Sequence, residues 1–419
     1  MTPAFYLYRT VGRIISPFLP GLLRRRGRAG KEDFGRLNER LARGMPNRRP
    51  GRLVWLHGAS VGESRLLLEL GHRLMAERPD LMLVFTSQTQ TSARLLGPAL
   101  PDAAIHLMAP MDTPAIARRF IRHWQPDLCV FGEGEIWPNL IYEAGRNGAK
   151  RALVNARMTQ GSADGWGRAR KLFRRLVGAF DVILAADTDT AQRLGSLLGK
   201  TVRSAGNLKS ALPGPEASDF ELKRIRGAFV GERRCLVAAS THSGEEELFL
   251  DAVADMPDTA IIIAPRHPER GDEVEALIKA RGLLHARRSK GQVANTRTRV
   301  LLADTMGEMG LWLRLADAVY LGGGHADGIG GHNPLEPVRF GKPVVTGPQV
   351  FNFAPMMADL ESRGLVKIAA DATGVADALK NATPPSNAAI EALAEHADAP
   401  MVETLAALLP LIPEPGLLQ

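Results

Sequence analysis

A chain of 419 residues with 45% apolar and 23% charged side chains can bury the cores of two ordinary domains, which excludes a disordered polymer. Aromatic residues make up only 5%, against a base-stacking platform, and the two cysteines, Cys129 and Cys235, sit in apolar runs without disulfide or metal-ligand spacing. The net charge of +8 is local: residues 1–52 carry 13 Lys/Arg against 3 Asp/Glu, the rest 40 against 42, so the basic balance is no sign of a nucleic-acid groove.

The basic segment opens with AFYLYRTVGRIISPFLPGLL, an apolar stretch broken by Arg9, Arg13, Pro17 and Pro20 and followed by RRRGRAGK. It is interrupted too often for a transmembrane span, and its arginines come after the apolar stretch, unlike those of a signal peptide. Residues 1–50 therefore read as a basic amphipathic segment lying on an anionic membrane surface; an ordinary helix packed on its own domain is the alternative.

From residue 53 onward short β-rich runs alternate with helical patterns. Strands are expected at 53–57, 81–87, 104–108, 127–132, 152–156 and 181–186. After the Pro/Gly-rich ALPGPEASD they resume at 235–240, 259–265, 299–304, 317–322, 342–347 and 365–369. Strands separated by helix-length connections imply parallel sheets covered on both faces. The expected fold class is α/β with two Rossmann-like doubly wound domains: residues 51–211, a linker at 212–219, and residues 220–419. A TIM barrel is the alternative, but the break in the middle and about eleven βα units fit one closed sheet poorly. Ligands are then expected at the carboxyl ends of strands, in an interdomain cleft.

Several strand ends carry chemistry. LVWLHGASVGES runs from a strand through a glycine turn into a helix opened by Glu63, which is either a first-turn carboxylate or a general base. VFGEGEIWPNLI brings Glu133 and Glu135 to a turn, and SAGNLKSAL places Lys209 where a point charge could meet a carboxylate or phosphate. In the second half, AASTHSGEEE and IIIAPRHPER end strands with His242 and with Arg266 and His267. Met306, Gly307 and Glu308 precede a helix, and GIGGHNPLEP places Asn333, Pro334, Leu335 and Glu336 at another. Backbone amides at that helix start, with Glu336 accepting ribose hydroxyls, suit a nucleotide sugar. His242, His267, His325 and His332 match no ordinary metal spacing, and no metal or cofactor is expected.

HGASVGE, GEIWPNLI, NAR, GNLK, ASTHSGEEE, PRHPER, MGE and GGHNPLEPVRFGKPVVTGP, together running almost end to end, resemble the 3-deoxy-D-manno-octulosonic acid (Kdo) transferases of lipopolysaccharide synthesis. The resemblance implies a GT-B arrangement, CMP-Kdo as donor, a lipid A precursor (lipid IVA) as acceptor, and a place at the cytoplasmic face of the bacterial inner membrane. It implies an inverting transfer in which Glu63 is the base and Glu133 and Lys209 stabilise the transition state. CMP contacts would fall on Arg266, His267, Met306 to Glu308 and Asn333 to Glu336. No obligate protein partner is implied. Gly134 stands where the family commonly has Thr, and Gly323 and Gly324 where small polar residues such as Ser are common. Another GT-B enzyme with a UDP donor, or a noncatalytic membrane-surface scaffold, are the rival readings.

Overall fold

The computed structural model describes residues 2–415, apart from the side chain of Pro355. The chain divides into two compact units, one formed by residues through Leu212 together with the chain from Ala397 onward, the other by Pro213–His396.

The first unit is built on seven parallel strands: β1 (Arg52–His57), β2 (Leu81–Ser87), β3 (Ala104–Met108), β4 (Leu128–Gly132), β5 (Lys150–Ala156), β6 (Val182–Ala185) and β7 (Arg203–Ser204). Their order is β3-β2-β1-β4-β5-β6-β7. β2 is buried along its whole length, as expected for a strand covered by helices on both faces. Trp55, Phe120, Phe131 and Phe173 fill one side of the sheet, and Leu66, Leu70 and Phe85 the other.

The second unit repeats the plan with β8 (Arg234–Thr241), β9 (Thr259–Pro265), β10 (His285–Arg287), β11 (Val300–Leu302), β12 (Ala318–Leu321), β13 (Val344–Thr346) and β14 (Val366–Ile368), in the order β10-β11-β9-β8-β12-β13-β14. Two open sheets exclude the barrel. In each, the strand order reverses beside the first strand of the unit, between β1 and β4 and between β8 and β12, the points where doubly wound folds bind ligands.

Two expected boundaries change. The second domain was expected to run to residue 419, but from Ala397 the chain belongs to the first unit. The cause is hydrophobic: Met401, Leu405 and Leu408 are buried in one cluster with Leu66, Leu67 and Leu70 of the helix Val61–Glu77. Arg73 of that helix adds a bidentate pair to Asp398 at 2.9 and 2.8 Å.

The N-terminal segment, expected to stand as its own region, is also part of the first unit. Its helix Pro3–Ile15 buries Phe5 and Arg9. The Arg9 guanidinium donates to Glu143 at 2.8 Å, so this arginine serves a buried ion pair rather than the surface. Among the described residues no helix is long and apolar enough to cross a membrane.

Candidate active site

The carboxyl edge of the first sheet gathers the three expected catalytic residues. β1 ends at His57, and Gly58 to Ser60 turn the chain into the helix Val61–Glu77. Ser60 caps that helix by accepting from the Glu63 amide at 3.2 Å, while its hydroxyl donates to Glu63 Oε1 at 2.9 Å. The Ala59 amide donates to Glu63 Oε2 at 2.6 Å. The Ser60 side is that of a capping box, while the carboxylate returns to the Ala59 amide just before the cap, so Glu63 acts as a first-turn carboxylate. This role does not exhaust the carboxylate, because each oxygen keeps a second lone pair. Glu63 is buried against the backbone of Gly58, where an added Cβ would stand 2.9 Å from its own Cβ. Burial is the main cause that raises its pKa, and the charges of Glu135 and Glu133 add to it against the Ala59 and Ser60 hydrogen bonds.

β4 delivers Glu133 beside it. Its backbone is left-handed (φ 48°), an unusual conformation for a glutamate and one that turns the side chain out of the strand's alternation. Lys209 Nζ lies 2.6 Å from Glu133 Oε1, and Asn155 Nδ2 donates to the same oxygen at 3.3 Å. Asn155 is also left-handed (φ 51°), at a register shift near the end of β5. Its Oδ1 accepts from the Leu208 amide at 2.9 Å, which fixes the short turn carrying Lys209. Lys209 Nζ approaches the backbone of Gly62 closely enough to stand 3.4 Å from an added Cβ, so the lysine lies at the start of the helix that bears Glu63.

Glu135 points elsewhere. It accepts from Trp137 Nε1 at 2.6 Å and stands 3.4 Å from His57 Nε2, while His57 Nδ1 meets the Thr86 hydroxyl at 2.7 Å. The two glutamates of one motif therefore divide, one toward the lysine and one into a buried polar cluster. Gly134 between them has open space where a side chain would stand.

The carboxyl edge of the second sheet carries the expected donor residues. Arg266 and His267 follow β9 and are exposed. His242 follows β8 and His332 lies in the loop after β12; their Nε2 atoms are 2.8 Å apart and their rings stack. Two imidazoles at that distance share one proton between them. Burial lowers both, with His332 brought down to about 4. Among the described residues no cluster of three or more His, Cys, Asp or Glu is arranged to hold a metal.

Met306 is exposed and Gly307 left-handed, in the turn after β11. Glu308 is committed to Arg288, with contacts of 2.5 to 3.2 Å, and to the Thr305 hydroxyl. Asn333 Oδ1 accepts from the Leu335 amide at 3.1 Å. Glu336 lies in the helix Leu335–Arg339, whose five residues give a weaker terminal dipole than the sequence led one to expect.

One residue that sequence reasoning passed over organises this edge. Glu245 is 1% exposed and opens the helix Glu245–Ala252. Oε2 accepts from the amides of Gly323 at 2.7 Å and His242 at 2.9 Å; Oε1 accepts from the His325 amide at 2.9 Å. The Tyr320 hydroxyl completes the set at 3.4 Å. Gly323 and Gly324 belong to the loop so held: added Cβ atoms would stand 3.0 Å from His332 and 2.5 Å from the Gly347 amide. The close packing of this loop leaves no room for a side chain at Gly324 and little at Gly323.

Comparison with known proteins points to one family. Residues 35–212 match a family model described as 3-deoxy-D-manno-octulosonic-acid transferase (kdotransferase). The 3-deoxy-D-manno-octulosonic acid transferase of Haemophilus influenzae is 32% identical over 80% of this chain and 78% of its own length. Among solved structures, the C-terminal CMP-Kdo binding domain of WaaA from Acinetobacter baumannii is 32% identical, covering 46% of this chain and 96% of that one, with a TM-score of 0.36. The UDP-GlcNAc 2-epimerase of Neisseria meningitidis is 12% identical, covers 85% of this chain and 100% of its own, and has a TM-score of 0.53, a likeness of fold alone. The α/β class with two Rossmann-like units is that of the GT-B enzymes. This chain belongs to the 3-deoxy-D-manno-octulosonic acid transferase family.

Proposed function

We propose that this Kdo transferase moves Kdo from CMP-Kdo to a hydroxyl of a lipid A precursor, with Glu63 as the base. The observation that carries this reading is the pair of strand-end clusters, each at a topological switch point. One holds a buried carboxylate beside a Lys209–Glu133 pair, the other a group of cationic and imidazole side chains. A sugar hydroxyl is a poor nucleophile, so Glu63 accepts its proton as the oxygen attacks the anomeric carbon. The bond from that carbon to the CMP phosphate breaks on the opposite side, and CMP leaves with the electron pair. Lys209, held by Glu133, places a positive charge where negative charge develops. Arg266, His267, the turn of Met306 to Glu308 and the loop of Asn333 to Glu336 receive the nucleotide. Incubation with CMP-Kdo and lipid IVA is expected to release CMP and to raise the acceptor mass by Kdo increments. Transfer no faster than in enzyme-free controls would overturn the activity.

The acceptor's lipid nature accounts for the N-terminal helices. Leu7, Val11, Ile14, Phe18 and Leu22 are exposed by 44 to 71% and recur at helical spacing, so the helix Pro3–Ile15 and its continuation present an apolar stripe. Arg24, Arg25 and Arg28 are exposed just beyond it and suit anionic head groups. Combined Leu7→Ser, Ile14→Ser and Phe18→Ser substitutions are expected to reduce co-sedimentation with anionic vesicles at least tenfold. Unchanged sedimentation would remove this stripe from the membrane role.

A further inference from the structure

Beneath the N-terminal helix, away from the catalytic cluster, the first unit has a partly open cavity of about 290 Å³. Three guanidinium groups line it, from Arg146, Arg151 and Arg175, with Phe5 and Tyr142 as apolar wall. We propose that this cavity is a binding site for the phosphate of an anionic phospholipid head group.

The charge around the cavity is only partly compensated by carboxylates among the described residues. Arg146 and Arg175 make no ion pair among the described residues; the Arg146 guanidinium lies 5.8 Å from the centre of the Tyr142 ring. Arg151 approaches Asp181 only to 4.0 Å, and that carboxylate already accepts from Lys150 Nζ at 3.1 Å and from the Arg151 amide at 2.9 Å. The Arg151 Nε is buried without a hydrogen-bond partner, its nearest carboxylate oxygen being Asp181 Oδ2 at 4.0 Å, so the protein does not fully engage this guanidinium.

Gly145 leaves the space in which the Arg151 guanidinium lies: an added Cβ there would collide with it, and the flexible arginine would have to move aside. Guanidinium groups arriving from separate elements suit a tetrahedral anion with oxygens in several directions, and each can engage two of them. The volume is at the small end for ligand sites, enough for a phosphate with a few attached atoms.

Location separates this site from the chemistry. Arg151 is the second residue of β5 and Asn155 the sixth, so the cavity and the Glu133–Lys209 pair lie at opposite edges of the sheet, about 13 Å apart along the strand. Location also favours a lipid over a free ion. Phe5 lies in the cavity wall, and its neighbours Tyr6 and Leu7 are exposed by 60 and 64%. Phe5 faces inward from the same helix whose outer face carries Leu7, Val11 and Ile14, so the cavity lies under the helix that presents the apolar stripe. The lipid source rests on the membrane reading of the N-terminal helices, and a soluble lipid separates the two because it requires no bilayer.

The test is calorimetric titration of the full chain with dihexanoyl phosphatidic acid and, in parallel, with inorganic phosphate. Saturable lipid binding is expected, at least tenfold weaker in an Arg146→Ala/Arg175→Ala variant and unchanged in an Arg24→Ala/Arg28→Ala variant. Both arginines of the first pair are exposed, and circular dichroism verifies that their loss leaves the fold intact. Absence of saturable lipid binding, or equal binding by the Arg146→Ala/Arg175→Ala variant, overturns the site. Inorganic phosphate binding as tightly as the lipid overturns the lipid assignment.

Discussion

Replacing Glu63 by Gln is expected to lower kcat by about 100- to 10,000-fold, the range a positioned general base contributes, while leaving the affinity for CMP within twofold. The substituted amide fits the same volume and can still accept from the Ala59 amide or the Ser60 hydroxyl through its one oxygen, so the helix start survives. It cannot accept the acceptor's proton. The pH dependence supplies an independent sign. Burial raises the Glu63 pKa, aided by the nearby charges of Glu135 and Glu133, and only the ionised form can act as base. The rate of the parent enzyme should therefore climb as pH rises through that raised value. The residual rate of the variant should lack this limb. Measurement of kcat against pH for both proteins, with CMP affinity from calorimetry, decides the point. Near-normal turnover by the variant would remove Glu63 from the base role and leave it as a cap.

Much of this arrangement was legible in the sequence, for reasons that differ by element. β2 and β9 fall at the expected residues because a strand buried on both faces is a continuous apolar run between turn signals. β7 and β10 were missed: each is short, at a sheet edge and polar, as in Arg203–Ser204 and His285–Arg287. Edge strands pair through backbone groups that leave little trace in side-chain pattern. The return of the C-terminal segment was also hidden, because the spacing of Met401, Leu405 and Leu408 announces an apolar helix face without naming the core it joins. Glu63 and Lys209 were singled out through motifs, and the structure brings both to the carboxyl edge of the first sheet. The left-handed backbone of Glu133, Asn155 and Ser240 left no such signal, since none is glycine and each conformation is imposed by its surroundings. Glu245 was obscured by its two glutamate neighbours, which make it look like one more acid at a helix start.

The largest structural effect is expected at that residue. Glu245→Gln should destabilise the second unit by about 2–4 kcal/mol, because hydrogen bonds to a buried charge contribute about 1.5–3 kcal/mol each and an unsatisfied buried donor costs a similar amount. The carboxylate now accepts from three backbone amides in two separate segments, His242 in one and Gly323 and His325 in the other. An amide side chain has one oxygen, so whichever way it is turned its NH2 group faces at least one of those N–H donors. No backbone movement relieves this easily, since the packing around Gly322 and Gly324 leaves no room for displacement. An added Cβ would collide with the Ser240 carbonyl oxygen at the first and stand 2.5 Å from the Gly347 amide at the second. The loop that bears His325 and leads to His332 should therefore open more often. Urea unfolding gives the total loss. Hydrogen exchange at Gly323 and His325 tests the cause, with rates at least thirtyfold faster expected for a loss of about 2 kcal/mol. CMP affinity should fall with it, because the His242–His332 pair hangs on the same loop. Unchanged exchange at those two amides would show that the carboxylate does not hold the loop, whatever happened to overall stability.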